Sequence, residues 1–196
     1  MGRRRKPFVR ERTHWSTKPL YVIATEGEVT EKLYFSNMFR RKNIRMPILS
    51  TKKGDSSPEK VIKRLNTYKT KYSASPNELW LVIDRDGWSN RLLKNIEKQC
   101  VAKGYNLAIS NPCFELWLLL HQNKPKQPLT AKDCEKELKK LIPRYKKSKF
   151  DVECIESGVC HAIQHAKNLD NGNNIQDPPS TKVFKLVEML IEEDEH

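Results

Sequence analysis

Hydrophobic and polar positions follow two different periods along the chain, and the pattern predicts strands that alternate with helices. Short apolar runs rich in strand-forming residues, typical of strands buried on both faces, cover residues 20–25, 47–51, 78–83 and 105–110. Between them, apolar residues recur at helical spacing over residues 30–42, 56–72 and 90–103. Strands that alternate with helices form a parallel sheet with right-handed crossovers. The pattern therefore predicts an open, doubly wound α/β layer over residues 19–121.

From residue 113 onwards the strand signals stop and only helical signals continue. Helices are predicted over residues 113–121, 130–141, 157–170 and 180–193. Thr130 and Asp133 have the spacing of a capping box at the start of the second of these helices. We therefore expect three regions: a basic flexible arm over residues 1–18, the α/β core over residues 19–121, and a helical extension or cap over residues 122–196.

The composition excludes several classes of protein. The 196 residues are 37% hydrophobic and 31% charged, which is polar for a globular domain but too rich in apolar residues for wholesale disorder. No apolar run has the length of a membrane span, and the first residues lack an apolar segment of signal-peptide type. We therefore expect a cytoplasmic protein, and the five cysteines, which form no C-x-x-C pair, are predicted to be free thiols.

Charge adds a candidate partner. Lysine and arginine total 37 against 24 acidic residues, and a net charge of +13 is typical of proteins that bind polyanions such as nucleic acid. Residues 1–18 carry seven basic residues and one acid, and a second basic stretch covers residues 136–149. Both stretches could contact phosphates, and both could equally be solvated segments that only aid solubility.

Acidic residues follow the predicted parallel strands, at the edge of the sheet where ligands bind in open α/β folds. Glu26 follows the first strand, Asp84 and Asp86 end the third, and Glu115 lies one turn into the helix after the fourth. Asp84 and Asp86 are two residues apart, so they project to the same side of an extended segment. Converging carboxylates repel each other unless a hard cation such as Mg²⁺ joins them. The structural alternative is that D-x-D-G forms only a turn and that Glu26 caps a helix.

Two strings resemble a known family. VIATEGEVTEKLYF and LWLVIDRDG, within residues 19–121, resemble the Toprim domain of topoisomerases, bacterial primases and OLD-type nucleases, whose signature is a Glu after the first strand and D-x-D after the third. EGEVTEKLYF, DRD, ISNPCFELWLLLH and P-S-T-x-V at residues 179–183 resemble the RloB-like proteins, a Toprim group found beside abortive phage-resistance and restriction genes. The fold class implied is a Toprim-like (Rossmann-like) parallel sheet with flanking helices and a helical C-terminal extension.

The resemblance also implies an activity. Glu26 matches the Toprim glutamate, a general acid/base or metal ligand, and Asp84 and Asp86 match the metal-binding aspartates; Glu115 joins them as a candidate catalytic residue by its position. The cofactor implied is Mg²⁺, or Mn²⁺ in its place. A chain of 196 residues lacks room for the further domains of topoisomerases and primases. We therefore expect a metal-dependent nuclease that hydrolyses phosphodiester bonds in DNA or RNA, active in phage defence (abortive infection) alongside a partner ATPase.

Two other functions compete with this expectation. The chain could be a non-catalytic nucleic-acid-binding subunit of a defence complex, or a nucleotide-binding α/β sensor, although neither G-x-G-x-x-G nor a P-loop occurs in the sequence. Trp15 and Trp88 lie among polar residues and are predicted to be exposed, where either could stack on a base. The roles of Glu28 and Glu31 stay open at this stage.

Overall fold

The computed structural model describes residues 18–52, 55–72, 76–85, 87–122, 130–170 and 179–193. The predicted basic arm, apart from Lys18, lies outside the described residues, and so do Trp15 and Asp86.

The described residues form one sheet flanked by helices. The strands are β1 (Tyr21–Thr25), β2 (Ile48–Leu49), β3 (Glu78–Asp84), β4 (Asn106–Asn111) and β5 (Ser180–Thr181). The helices are α1 (Thr30–Met38), α2 (Pro58–Lys71), α3 (Asn90–Lys103), α4 (Phe114–Leu120), α5 (Ala131–Leu141), α6 (Glu153–Glu156), α7 (Val159–Asp170) and α8 (Val183–Glu192).

The sheet has the order β2-β1-β3-β4-β5, and its first four strands are parallel. Each helix between two parallel strands returns the chain to the starting edge of the sheet, so the carboxyl ends of β1, β3 and β4 lie side by side. The register places Thr25 opposite Val82, and Asp84 opposite Ser110. The prediction of a Rossmann-like α/β fold is confirmed.

The predicted helix over residues 180–193 is wrong at its start. Ser180 and Thr181 form β5, which pairs antiparallel with the end of β4, and α8 begins only at Val183. The hydroxyl groups of Ser110 and Thr181 lie 2.8 Å apart in a hydrogen bond that fixes this pairing. A strand of two polar residues has no alternation of apolar and polar positions, so the hydrophobic pattern of the sequence cannot predict it.

Two hydrophobic cores cover the two faces of the sheet. Helices α2 and α3 pack Val61, Leu65, Leu93 and Ile96 against one face. The other face is covered by α1, α4, α5, α7 and α8 in one continuous cluster, with Trp117 fully buried at its centre, so the prediction that α4 is a buried core helix is confirmed. Residues from both halves of the chain therefore share this second core. All five cysteines are free thiols, as predicted.

Two helix ends carry the signals that the sequence offers for them, and the start of α1 does not. Thr130 and Asp133 form the predicted capping box of α5, and Gly104, in the left-handed conformation, ends α3. By contrast, Thr30 does not cap α1, because its hydroxyl donates to the carbonyl of Lys147 at 2.9 Å. Helix α1 also ends at Met38, whereas the sequence predicted that it would continue to residue 42.

None of the helices in the described segments is long and apolar enough to cross a membrane.

Candidate active site

Glu26 lies at the seam between β1 and β3. It follows Thr25, the last residue of β1, and its backbone N–H donates to the carbonyl of Val82 at 2.9 Å. Its carboxylate accepts two hydrogen bonds, one from the backbone N–H of Asp84 and one from the indole N–H of Trp88, both at 3.0 Å. Two donors from different parts of the chain therefore fix the orientation of the Glu26 carboxylate.

Asp84 ends β3 and is partly buried beside Glu26. Its Oδ1 accepts from the backbone N–H of Phe114, the first residue of α4, at 2.9 Å. Burial raises the pKa of Asp84 well above its usual range, and the neighbouring carboxylates of Glu31, Glu115 and Glu26 raise it further, although the bond from Phe114 partly opposes them. Asp84 is thus a carboxyl group held in a crowded, poorly hydrated, negatively charged environment.

Glu31 is a further member of this site, and the sequence left its role open. It lies in the first turn of α1, is only 3% exposed, and accepts from the backbone N–H of Gly27 at 2.8 Å. Burial, followed by the charges of Glu115 and Glu26, raises its pKa to about 7. A side chain at position 27 would collide with the Glu31 carboxylate, so the absence of a Cβ at Gly27 makes room for this acid.

Glu115 reaches the same site from α4. It is 3% exposed, and its Oε1 lies 3.0 Å from Nζ of Lys147. Burial lowers the pKa of Lys147, but the charge and the hydrogen bond of Glu115, with smaller contributions from Cys113 and Glu135, together outweigh it and leave the pKa raised. The sequence placed Lys147 only within a basic stretch, because a partner 32 positions away leaves no signal in local spacing.

Glu26, Glu31, Asp84 and Glu115 are called the acid cluster from here on. Three of them, Glu31, Asp84 and Glu115, line a pocket of about 240 Å³ together with Lys147 and Glu28. The tertiary structure thus brings together Glu26, Asp84 and Glu115 from the sequence prediction and adds Glu31 and Lys147. Asp86 is outside the described residues.

The donors of the acid cluster suit a hard cation in their chemistry. All are carboxylate oxygens. The pKa of Asp84 is raised first by burial and then by the neighbouring carboxylates, whose negative charge a divalent cation would neutralise. In the described part of the chain, no group of three or more His, Cys, Asp and Glu side chains is arranged to hold a metal ion. Mg²⁺ commonly uses only one or two carboxylates and keeps several waters. Glu26 and Asp84 fit that requirement.

Trp88 is not the exposed residue that the sequence predicted. It is partly buried, packs against the core beneath α2 and α3, and donates its indole N–H to Glu26. Gly87 adopts a positive φ of 76°, and the backbone N–H of Trp88 donates to the carbonyl of Arg85 at 3.1 Å. The resulting tight turn directs the indole ring of Trp88 back towards the sheet. Trp88 therefore orients Glu26 instead of offering a free ring to a base.

The fold and the site define an α/β protein of Rossmann-like architecture with a buried acidic pocket at the carboxyl edge of its sheet. A family model described as RloB-like protein matches residues 21–190. The chain belongs to the RloB-like family. Comparisons with curated proteins and with solved structures gave no significant match.

Proposed function

We propose that this protein is a metal-dependent nuclease of the Toprim type that hydrolyses phosphodiester bonds in nucleic acid during defence against phage. The observation that carries the proposal is the acid cluster, in which one carboxylate just after β1 and three from β3, α1 and α4 lie close together at the edge where ligands bind in open α/β sheets. Strongly perturbed carboxyl groups in a cleft are typical of functional sites. Membership of the RloB-like family supports the role in defence, and a partner ATPase is part of the proposal.

The roles of the residues follow from their contacts. Glu26 and Asp84, with Asp86, would hold a divalent ion, Mg²⁺ or Mn²⁺, which supplies Lewis acidity and charge neutralisation at the scissile phosphate. Trp88 and the backbone N–H of Asp84 keep the Glu26 carboxylate aimed at one position. Glu115 and Lys147 form a neutralised pair that closes one wall of the pocket and limits its negative charge.

The decisive experiment measures cleavage by the purified full chain. Labelled single-stranded and double-stranded DNA and RNA are incubated with Mg²⁺, Mn²⁺ or EDTA. We expect cleavage with either metal and none with EDTA. Asp84→Asn should abolish it, because this change removes a ligand charge but keeps an oxygen that accepts from Phe114.

Glu153→Gln is the matched control. Glu153 is exposed and forms an ion pair with Arg40 at 2.6 Å, outside the lining of the pocket, so its variant should cleave at the wild-type rate. Cleavage that persists in EDTA, or that is equal in wild type and Asp84→Asn, would contradict the proposal.

A second function has a specific observation in its favour. Within the described segments each carboxylate of the acid cluster has a hydrogen-bond donor or cationic partner of the protein itself, and no metal-binding group of three occurs. Such a site suits a non-catalytic nucleic-acid-binding subunit of a defence complex, whose acids serve structure or docking. Nucleic-acid binding without metal-dependent turnover by the pure chain would favour this alternative.

A further inference from the structure

A groove separates β2, at the edge of the sheet, from α2. It has a volume of about 720 Å³, and its floor consists of Pro47, Ile48 and Leu49. Ile48 and Leu49 pair with β1 on one side only, because β2 is the outermost strand. Helix α2 forms the opposite wall from Lys60 to Lys71, a length of about 16 Å at the rise of an α-helix.

The groove is strongly basic. Among the described residues that line it, five are basic and one is acidic: Lys52, Lys60, Lys63, Arg64 and Lys71 against Asp55. Five positive charges against one negative charge leave an excess of four, in a concave surface where such charges attract a phosphate backbone. Lys52, Lys63 and Lys71 are exposed, so their ammonium groups are accessible to a ligand.

Two tyrosines lie in contact at the far end of the groove, with their ring planes inclined at 39°. Tyr68 and Tyr72 lie with ring centroids 4.6 Å apart, and Tyr72 is 46% exposed although it is a large aromatic residue. Nζ of Lys71 lies 5.4 Å from the centre of the Tyr72 ring. A positive groove with an exposed aromatic ring, here that of Tyr72, is suited to single strands, because an unpaired base can stack on the ring while cations hold the backbone.

The groove lies beside the end of β1 and the loop that carries Glu26. Arg64 donates to the carbonyl of Thr25, the residue before Glu26, at 2.6 Å, and to the hydroxyl of Thr51 at 2.8 Å. The backbone N–H of Thr51 in turn donates to the carbonyl of Gly27 at 3.3 Å. The end of the groove that holds Arg64 is therefore bonded directly to the loop that carries Glu26.

We propose that this groove binds a single-stranded segment of nucleic acid, with bases stacked on Tyr72 and phosphates on Lys52 and Lys63, and directs it to the acid cluster. Its length fits about four or five stacked nucleotides. The inference deepens the proposed function by naming the form of the substrate, and its catalytic part rests on that function. Stacking on Tyr72 needs a base whose face is free, so a duplex should bind here less well than a single strand.

The test measures binding in EDTA, so that its result does not depend on cleavage. Fluorescence anisotropy of short labelled oligonucleotides compares single-stranded DNA, single-stranded RNA and duplex DNA on the full chain at physiological salt. We expect a single strand to bind more tightly than the duplex. Tyr72→Ala should weaken single-strand binding about tenfold, whereas Tyr72→Phe, which keeps the ring, should not. The DNA and RNA arms show which single strand is preferred.

Matched charge changes locate the binding surface. Lys52→Glu/Lys63→Glu in the groove should weaken single-strand binding much more than Lys94→Glu/Lys98→Glu, which makes the same charge change on the exposed surface of α3. Lys94 and Lys98 line a surface cleft whose described residues include no aromatic side chain. Equal losses in the two pairs, equal binding of duplex and single strand, or unchanged binding in Tyr72→Ala would overturn the inference. A shift to a smaller species in Tyr72→Ala by light scattering, with binding unchanged, would assign the groove to a second copy of the chain and also overturn it.

Loss of binding in the groove variants together with metal-dependent cleavage in the wild type would support both proposals. Specific binding in the groove without cleavage by the wild type would refute the nuclease and leave the groove assignment standing. Cleavage by the wild type that is unaffected by the groove variants would support the nuclease and refute the groove assignment.

Discussion

The acid cluster and the groove beside α2 are neighbours, but they hold their charges in different ways. Glu31 and Glu115 are each 3% exposed and fixed by contacts within the protein, and the pKa of Glu31 is raised to about 7. The lysines of the groove, such as Lys63, are exposed and extend on flexible stems. Buried, fixed charges act on bonds through strong local fields, whereas exposed charges attract a polyanion by their number. The two regions are therefore suited to different tasks: chemistry at the edge of the sheet and binding beside α2.

The largest expected effect separates these tasks in kinetics. Glu26→Gln should lower kcat about 1,000-fold, because metal-assisted stabilisation of a phosphoryl transition state is worth several kcal/mol. Lys63→Glu should instead raise KM and leave kcat near the wild-type value, since the proposed contact of this lysine is with the flanking backbone and not with the scissile phosphate. Steady-state kinetics of both variants on one labelled single strand makes the comparison. A fall in kcat for Lys63→Glu as large as that for Glu26→Gln would remove the distinction.

The next effect concerns stability and pH. The pKa of Glu31 rises from 4.5 to about 7 on folding, so the ionised form destabilises the folded protein. This penalty is absent below about pH 4.5, grows as the pH rises towards 7, and is complete above it, where it is on the order of 3 kcal/mol. Glu31→Gln should therefore raise the free energy of unfolding in EDTA at pH 8 and change it little at pH 4.5.

Urea denaturation at the two pH values measures this difference. Glu59→Gln, which changes an exposed glutamate in the first turn of α2, is the control and should have little effect at either pH. An equal gain for Glu31→Gln at both pH values would mean that packing, not charge, is responsible.

A smaller effect tests how tightly the acid cluster is packed. Gly27→Ala should destabilise the protein by about 2 kcal/mol, because the added methyl group collides with the Glu31 carboxylate. Glu31→Ala should largely rescue it in the double variant, since it opens the occupied space. Thermal unfolding of the wild type, the two single variants and the double variant gives the coupling free energy between positions 27 and 31. A double variant that is less stable than Gly27→Ala would show that the collision lies elsewhere.

The smallest expected effect concerns the pair at the mouth of the pocket. Lys147→Ala should cost about 1 kcal/mol, because it leaves the buried Glu115 without its cation, although the lysine itself is half exposed. Lys146→Ala, one residue away and exposed, should cost less than half of that. Differential scanning calorimetry compares them. Equal losses of stability in the two variants would mean that the ion pair with Glu115 adds nothing, and that Lys147 behaves like the other exposed lysines of the basic stretch.

Much of the fold could be read from the sequence because its signals are local. The buried strand before Asp84, the amphipathic helix closed by Gly104, and the capping box at Thr130 each depend on neighbouring residues, and each is present in the structure. β5 is the exception: its two residues become a strand only because β4 offers them an edge, with a bond between Ser110 and Thr181 across 71 positions.

The candidate site also combines features that the local sequence predicts with contacts that only the tertiary structure shows. The sequence by itself determined that Glu26 follows one parallel strand and that Asp84 ends another, because strand period and crossover direction are fixed by local pattern. The tertiary structure showed that these two strands are neighbours in the sheet. Only the tertiary structure decided that Glu31 turns inward over Gly27, that Lys147 pairs with Glu115, and that Trp88 folds back onto Glu26. These contacts depend on how α1, α4 and the segment after α5 pack on the sheet. Burial then changes the pKa values, and burial is a property of the whole fold that no local spacing records.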